Sequence, residues 1–228
     1  MTPLVLIPGF MCDARLFGPQ IAALEKDRQV VAMVPTQNTI PDMAATILDA
    51  IPGKLCVGGL SMGGIVALEI LRQAPDRIER LALMDTTPLA DAPQNYDIRN
   101  RQIKDVHAGR LVDVMREELK PAYLVDSPNK KDLLELCTDM ALALGSDVFE
   151  AQAIALRDRA DAQDTLANAP AHTLILHGAE DRLCTPERHH LMHDLAPQST
   201  LIAIDNAGHM PTLEQPAATT KALRNWLA

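Results

Sequence analysis

The stretch Gly59-Leu60-Ser61-Met62-Gly63 sets a serine between two glycines in the pattern G-x-S-x-G, directly after the apolar run Leu55-Cys56-Val57-Gly58. A serine hydroxyl is a weak nucleophile until a base takes its proton, so the pattern carries chemistry only if the chain presents the hydroxyl outward and brings a base to it. A sharp strand-to-helix turn does the first. It forces strained angles on the serine, leaves no room for a Cβ two positions to either side, and aims the unpaired N–H groups of the new helix at negative charge formed during attack. Two plainer readings compete: a glycine-rich turn with Ser61 as a helix cap, and a phosphate-cradling loop. The second lacks both the G-x-G-x-x-G spacing and a terminal Gly-Lys-Ser/Thr.

The chain has seven histidines from which a base could come. His209, in Asp205-Asn206-Ala207-Gly208-His209-Met210-Pro211, stands in a loop just after the last predicted strand and is the candidate base. His107 falls in a helical region, His189, His190 and His193 read as solvated or capping residues of a surface helix, and His172 and His177 flank one strand as structural residues. An imidazole that takes a proton needs a carboxylate to orient it, and Gly178-Ala179-Glu180-Asp181-Arg182 supplies Asp181 after the preceding strand. Asp85, in Met84-Asp85-Thr86-Thr87-Pro88, is its rival, because it too follows a strand end. Backbone donors for the developing oxyanion are expected from Met62, next after the serine, and from Phe10 in Ile7-Pro8-Gly9-Phe10-Met11, where Pro8 has no N–H and Gly9 permits a tight turn. Met11 and Met210 adjoin these elements and are the candidate substrate-binding side chains, an adaptable apolar lining in company with Phe10 and Met62. The competing reading turns them into the core.

Positioning such residues requires strands that end on one edge, and the chain reads that way. Short apolar runs at Leu4–Ile7, Gln29–Val34, Leu55–Gly58, Leu81–Met84, Thr173–His177 and Leu201–Ile204 alternate with helical patterns at Pro19–Lys26, Pro41–Ala50, Met62–Gln73, Pro186–Leu195 and Pro216–Leu227. Continuous rather than alternating apolar strands belong to a sheet covered on both faces. The expected fold is α/β, a mostly parallel sheet of about six strands with helices on both faces. The alternation stops after Asp85. An all-helical excursion follows, with pieces near Asp97–Ala108 and Leu111–Leu119, a helix after Ser127-Pro128 that Gly145 stops, and another after Ser146. The expected division is a core of residues 1–90 and 166–228 with an insertion over 91–165.

Composition bounds the function. The 228 residues hold 21 Lys and Arg against 30 Asp and Glu, a net charge of −9, which is the wrong sign for binding phosphate backbones, so no nucleic-acid partner is expected. No apolar run approaches the roughly 20 residues of a membrane-spanning helix. Met1 to Phe10 carries no basic residue and soon meets Pro8 and Gly9, unlike a secretory signal, so a cytoplasmic protein with no membrane partner is expected. The four cysteines, Cys12, Cys56, Cys137 and Cys184, form no C-x-x-C pair, and neither metal nor cofactor is expected.

Taken together, the elbow Gly-Leu-Ser-Met-Gly-Gly, the loop Gly-Ala-Glu-Asp-Arg, the ending Asn-Ala-Gly-His-Met and the link Ala74-Pro75-Asp76-Arg77-Ile78-Glu79-Arg80-Leu81 resemble the α/β-hydrolase superfamily from Leu4 to Leu227. The order Ser61, Asp181, His209 is the order that superfamily uses. The resemblance implies a helical cap where the excursion falls, after the fourth predicted strand. It departs from the superfamily at Pro8-Gly9 in place of His-Gly, at Leu60 in place of a histidine before the serine, and in lacking two initial strands of larger members, which implies a compact subgroup. It further implies hydrolysis through an acyl-enzyme, with thioester or C–C bond cleavage, or a non-catalytic ligand-binding protein, as alternatives. The insertion holds ten Lys and Arg against fifteen Asp and Glu, a field that opposes polyanions such as coenzyme A thioesters. Small uncharged esters or lactones are therefore the expected substrates. Oligomeric state is not encoded in any of these features.

Overall fold

The computed structural model describes residues 1–119 and 122–228. Its frame is one six-stranded sheet of β1 (Leu4–Ile7), β2 (Val30–Ala32), β3 (Leu55–Leu60), β4 (Ile78–Met84), β5 (Thr173–Gly178) and β6 (Thr200–Ile204). The strand order is 2-1-3-4-5-6 and every pairing is parallel. Parallel neighbours need crossovers, and helices α1 (Gly18–Leu24), α2 (Ile40–Ala50), α3 (Met62–Gln73), α8 (Pro186–Leu195) and α10 (Pro216–Leu227) lie on the two faces.

Side-chain alternation along the strands sends each face into its own core. Val5, Ile7, Val57, Leu81, Leu83 and Ile175 pack with α2 and α3, whereas Leu4, Leu6, Cys56, Ala82, Leu174 and Leu176 pack with α1 and α10. The central strands β1, β3 and β5 are buried along their whole length, as continuous apolar runs require. The edge strands behave differently. β2 is only half-buried and three residues long, shorter than the six residues its apolar run predicts, because an edge strand has one partner and one flank open to water. β3 and β4 run longer than predicted, β3 to the residue before Ser61.

Between β4 and β5 the chain forms α4 (Asn95–His107), α5 (Leu111–Asp113) with a π-helical turn over Val114–Leu119, α6 (Lys130–Arg157) and α7 (Gln163–Ala167). The predicted stop falls at Gly145, whose φ 82° and ψ 177° are not helical, so that α6 is two helical halves meeting at a kink. The excursion shares its core with the sheet: Val106, Phe149 and Ala153 join the α2/α3 side, and Cys137 and Met140 join the other. After β6 come α9 (Pro211–Glu214) and α10. No helix among the described residues is long and apolar enough to cross a membrane.

Candidate active site

All the loops of interest leave the carboxyl ends of the strands, where a parallel sheet collects them. Ser61 joins β3 to α3 at φ 55° and ψ −117°, a strained conformation for a residue with a side chain. Two close approaches hold it. A Cβ on Gly59 would lie 2.1 Å from the Gly63 carbonyl oxygen, and one on Gly63 would lie 1.9 Å from that of Ile7. The turn is thereby pressed against the loop after β1, which carries Phe10. Ser61 N–H donates to the Met84 carbonyl at 2.9 Å, and Thr86 Oγ1 donates to the Ser61 carbonyl at 2.7 Å, so the end of β4 braces the same turn.

His209 and Asp181 meet across 28 residues of chain. Nδ1 of His209 donates to Asp181 Oδ2 at 2.8 Å, while Asp181 Oδ1 accepts the amides of Leu183 at 2.8 Å and Cys184 at 3.1 Å. Burial works to raise the Asp181 pKa, but the neighbouring imidazole and these amides outweigh it and hold the carboxyl below its usual range. Phe10, Ser61, Met62 and His209 line one cleft of about 250 Å³. Ser61 Oγ and His209 face that cleft without a hydrogen bond to each other, a spacing that in hydrolytic sites tightens when substrate binds. The amides of Phe10 and Met62 have no acceptor among the described residues. A hydroxyl on such a turn can attack a carbonyl, the oriented imidazole can take its proton, and the two free amides can receive the oxyanion.

The model of the family described as "Alpha/beta hydrolase family" matches residues 4–222. The chain belongs to that family. An esterase from Thermogutta terrifontis, solved with malate bound, superposes on this alpha/beta hydrolase with a TM-score of 0.91 at 30% identity, covering 100% of this chain and 89% of that one. Pimeloyl-acyl-carrier-protein methyl ester esterase of Photobacterium profundum is 27% identical over 195 residues, 83% of this chain and 77% of that protein. (E)-2-((N-methylformamido)methylene)succinate hydrolase of Acinetobacter baylyi is 26% identical over 251 residues, 99% of this chain and 90% of that protein. An enol-lactonase from Burkholderia xenovorans LB400 shares the fold at a TM-score of 0.87 and 21% identity, covering 99% and 91%.

In this alpha/beta hydrolase Asp85 makes no hydrogen bond to the histidine. It is fully buried, accepts the Gly178 amide on Oδ1 at 2.8 Å and leaves Oδ2 without a hydrogen-bond partner. Burial, then the neighbouring Asp181 carboxylate, pushes its pKa well above the usual carboxylate value, whereas that of Asp181 is held down. Met11 and Met210 are corrections. Both side chains are buried in the core and neither lines the cleft. The Met210 sulfur lies 3.3 Å from Cys137 Sγ, and Met11, with φ 53°, contributes its amide to Gln152 Oε1 at 2.8 Å. Adjacency in sequence put them beside the site; the loop conformation turned them inward.

His189 is a further correction, since it is fully buried rather than on a helix surface. Its ring stacks on His177 at 4.5 Å, Nδ1 donates to the Thr185 carbonyl at 3.1 Å, and Nε2 accepts the Thr86 amide at 3.3 Å. Burial, reinforced by His177, lowers its pKa to about 3. Two supports carried no sequence signal at all. Glu214 accepts the amides on either side of His209, Gly208 at 2.9 Å and Met210 at 3.1 Å, as well as Val125 at 2.8 Å. Gln152 of α6 ties the Met11 amide to the Pro35 carbonyl, and the Phe149 ring meets Phe10 edge-on at 5.1 Å. Asp181, Cys184 and His209 place ligand-type atoms within 4.8 Å of one another. Asp181 and His209 are already bonded to each other, and burial raises the Cys184 pKa far enough to keep its thiol protonated, so the cluster reads as the hydrogen-bonded pair rather than a metal centre.

Proposed function

We propose that the protein is a serine esterase that cleaves small carboxylic esters or lactones through an acyl-enzyme. The family and the esterases related to this chain make it a hydrolase acting on ester bonds; the roles of the residues are our reading. Ser61 Oγ attacks the carbonyl carbon as His209 Nε2 takes its proton, and Asp181 holds the imidazole in the Nδ1–H tautomer and stabilises the imidazolium. The Phe10 and Met62 amides stabilise the oxyanion. The imidazolium protonates the departing alcohol, and a water activated by the same ring releases the acid from Ser61. The observation that carries this reading is the buried Asp181–His209 hydrogen bond opening on the cleft that a strained Ser61 and two acceptor-free amides share.

Substrate size follows from a cleft of about 250 Å³, room for a small molecule. The acidic excess of the cap supports esters and lactones over coenzyme A thioesters. We also place the protein in the cytoplasm, a reading supported by four cysteines that are all buried in the fold. A fluorophosphonate probe followed by peptide mapping tests the mechanism. Label is expected on Ser61, and Ser61→Ala is expected to lose both labelling and ester turnover while keeping its fold. Retention of more than a few per cent of wild-type hydrolysis by the folded variant would reject Ser61 as nucleophile.

A further inference from the structure

The cleft that holds Ser61 and His209 is also lined by three arginines, Arg99, Arg159 and Arg188, and by two acidic residues, Asp91 and Glu118. Both carboxylates are already engaged. Asp91 takes Arg99 at 2.5 Å and Arg159 at 3.3 Å, and also accepts Asn95 at 2.8 Å. Glu118 is held at 2.6 Å by Arg101, which does not line the cleft, and at 3.2 Å by Gln102. Arg188 stands in the first turn of α8, half-buried, and among the described residues its guanidinium has no hydrogen-bond or ion-pair partner. The crowding is real in energetic terms: burial lowers the Arg159 pKa, and Arg99 and Arg188 push it down further against the pull of Asp91.

A partly desolvated guanidinium with no protein acceptor is an anion-recognition group, because its planar fork matches a carboxylate with two parallel hydrogen bonds. Resting on the esterase reading above, we infer that the substrate carries a free carboxylate on its acyl or its alcohol part, and that Arg188 binds it and sets specificity. This reverses the uncharged substrate expected from net charge. The acidic cap acts over distances that salt screens at roughly 8–10 Å, whereas Arg188 acts at contact inside the cleft. The two effects select together: the cap's field and the small volume disfavour a bulky polyanion, and the guanidinium favours one compact negative charge.

Two matched pairs of esters test the inference. In the first, the mono-4-nitrophenyl ester of adipate is compared with its analogue in which a carboxamide replaces the free carboxylate. In the second, the acetyl ester of 4-hydroxybutanoate is compared with its carboxamide. The wild type is expected to favour the carboxylate member of at least one pair by tenfold or more in kcat/KM. Arg188→Met is expected to reduce that ratio roughly 10- to 100-fold, the worth of a lost hydrogen bond to a charged group, and Arg188→Lys to fall between. A wild-type ratio of one or less in both pairs, or a ratio unmoved by Arg188→Met, would overturn it. Calorimetric binding of glutarate against glutaramide to the wild-type protein reads the same contact without turnover, and it remains available if Arg188→Met does not fold. Preferential glutarate binding with no hydrolysis of any ester would support the anion site while sinking the esterase reading. Equal binding of the two with active hydrolysis would do the reverse.

Discussion

Asp181 and Asp85 differ in what surrounds them, and that difference separates them in the proposed mechanism. Three donors face Asp181 and hold its pKa down, whereas Asp85 accepts one amide and lies beside the charge of Asp181, which with burial pushes its pKa up. Replacing Asp181 by Asn removes the charge and frees the wrong tautomer of His209. We expect kcat to fall about 10³- to 10⁴-fold, by analogy with an asparagine in a serine-protease triad. The surroundings of Asp85 favour its protonated form, which is nearly the shape of an asparagine, so Asp85→Asn should cost less than tenfold. Matched kinetics of the two variants check the assignment, and the reverse ranking would make Asp85 the orienting acid. Arg188 sits at the opposite extreme, a charge whose guanidinium has no hydrogen-bond or ion-pair partner among the described residues.

At the scale of elements, the site is held by segments that contribute no reacting group. The loop after β6 carries His209 between two amides that Glu214 of α9 accepts, so one carboxylate fixes both sides of the candidate base. Glu214→Ala leaves those amides to water and lets the loop shift. A loss of ten- to a hundredfold in kcat is expected, since displacements near 1 Å are enough to cost that much. Glu214→Gln, which keeps an acceptor oxygen, should recover most of it, and circular dichroism should show both variants folded. Equal losses in the two variants would argue against the clamp. Helix α6 plays the corresponding part for the loop after β1. Gln152 holds the Met11 amide and Phe149 packs on Phe10, which ties the cap to the loop that presents the Phe10 amide. The kink at Gly145 aims this second half of α6 separately from the first.

For the molecule as a whole, pH acts through groups buried in one protonation state. His189 is neutral in the folded protein with a pKa of about 3, while the unfolded chain protonates it near 6.5. A depressed folded pKa gives stability that is fully present above 6.5 and lost as pH falls toward 3. Between pH 7.5 and 5 that loss amounts to about 2 kcal/mol, set by protonation of the unfolded chain alone. His189→Gln can still accept the Thr86 amide and donate to the Thr185 carbonyl, so its stability should fall less over this interval. Denaturant titrations at several pH values measure the difference. Parallel curves for the two proteins would mean that His189 is protonated in the native state.

What the sequence determined by itself is whatever depends on near neighbours. The Ser61 turn follows from glycines two residues away, the six strands follow from apolar runs, and α8 and α10 begin at the prolines that predict them. Even the Asp181–His209 pairing was legible, because motif order and strand-end placement bring both loops to one edge. Side-chain direction within the loops was not. Whether Met11 and Met210 face the cleft, which way the Asp85 pKa moves, and whether His189 meets water depend on segments far away in the chain, as with the 93 residues between Asp85 and Gly178. The same holds for Gln152, bonded to an amide 141 residues distant, and for Arg188, whose guanidinium has no partner among the described residues. Local propensity sets backbone conformation and leaves these contacts open; only packing of the finished fold decides which polar groups are satisfied and which remain for a ligand.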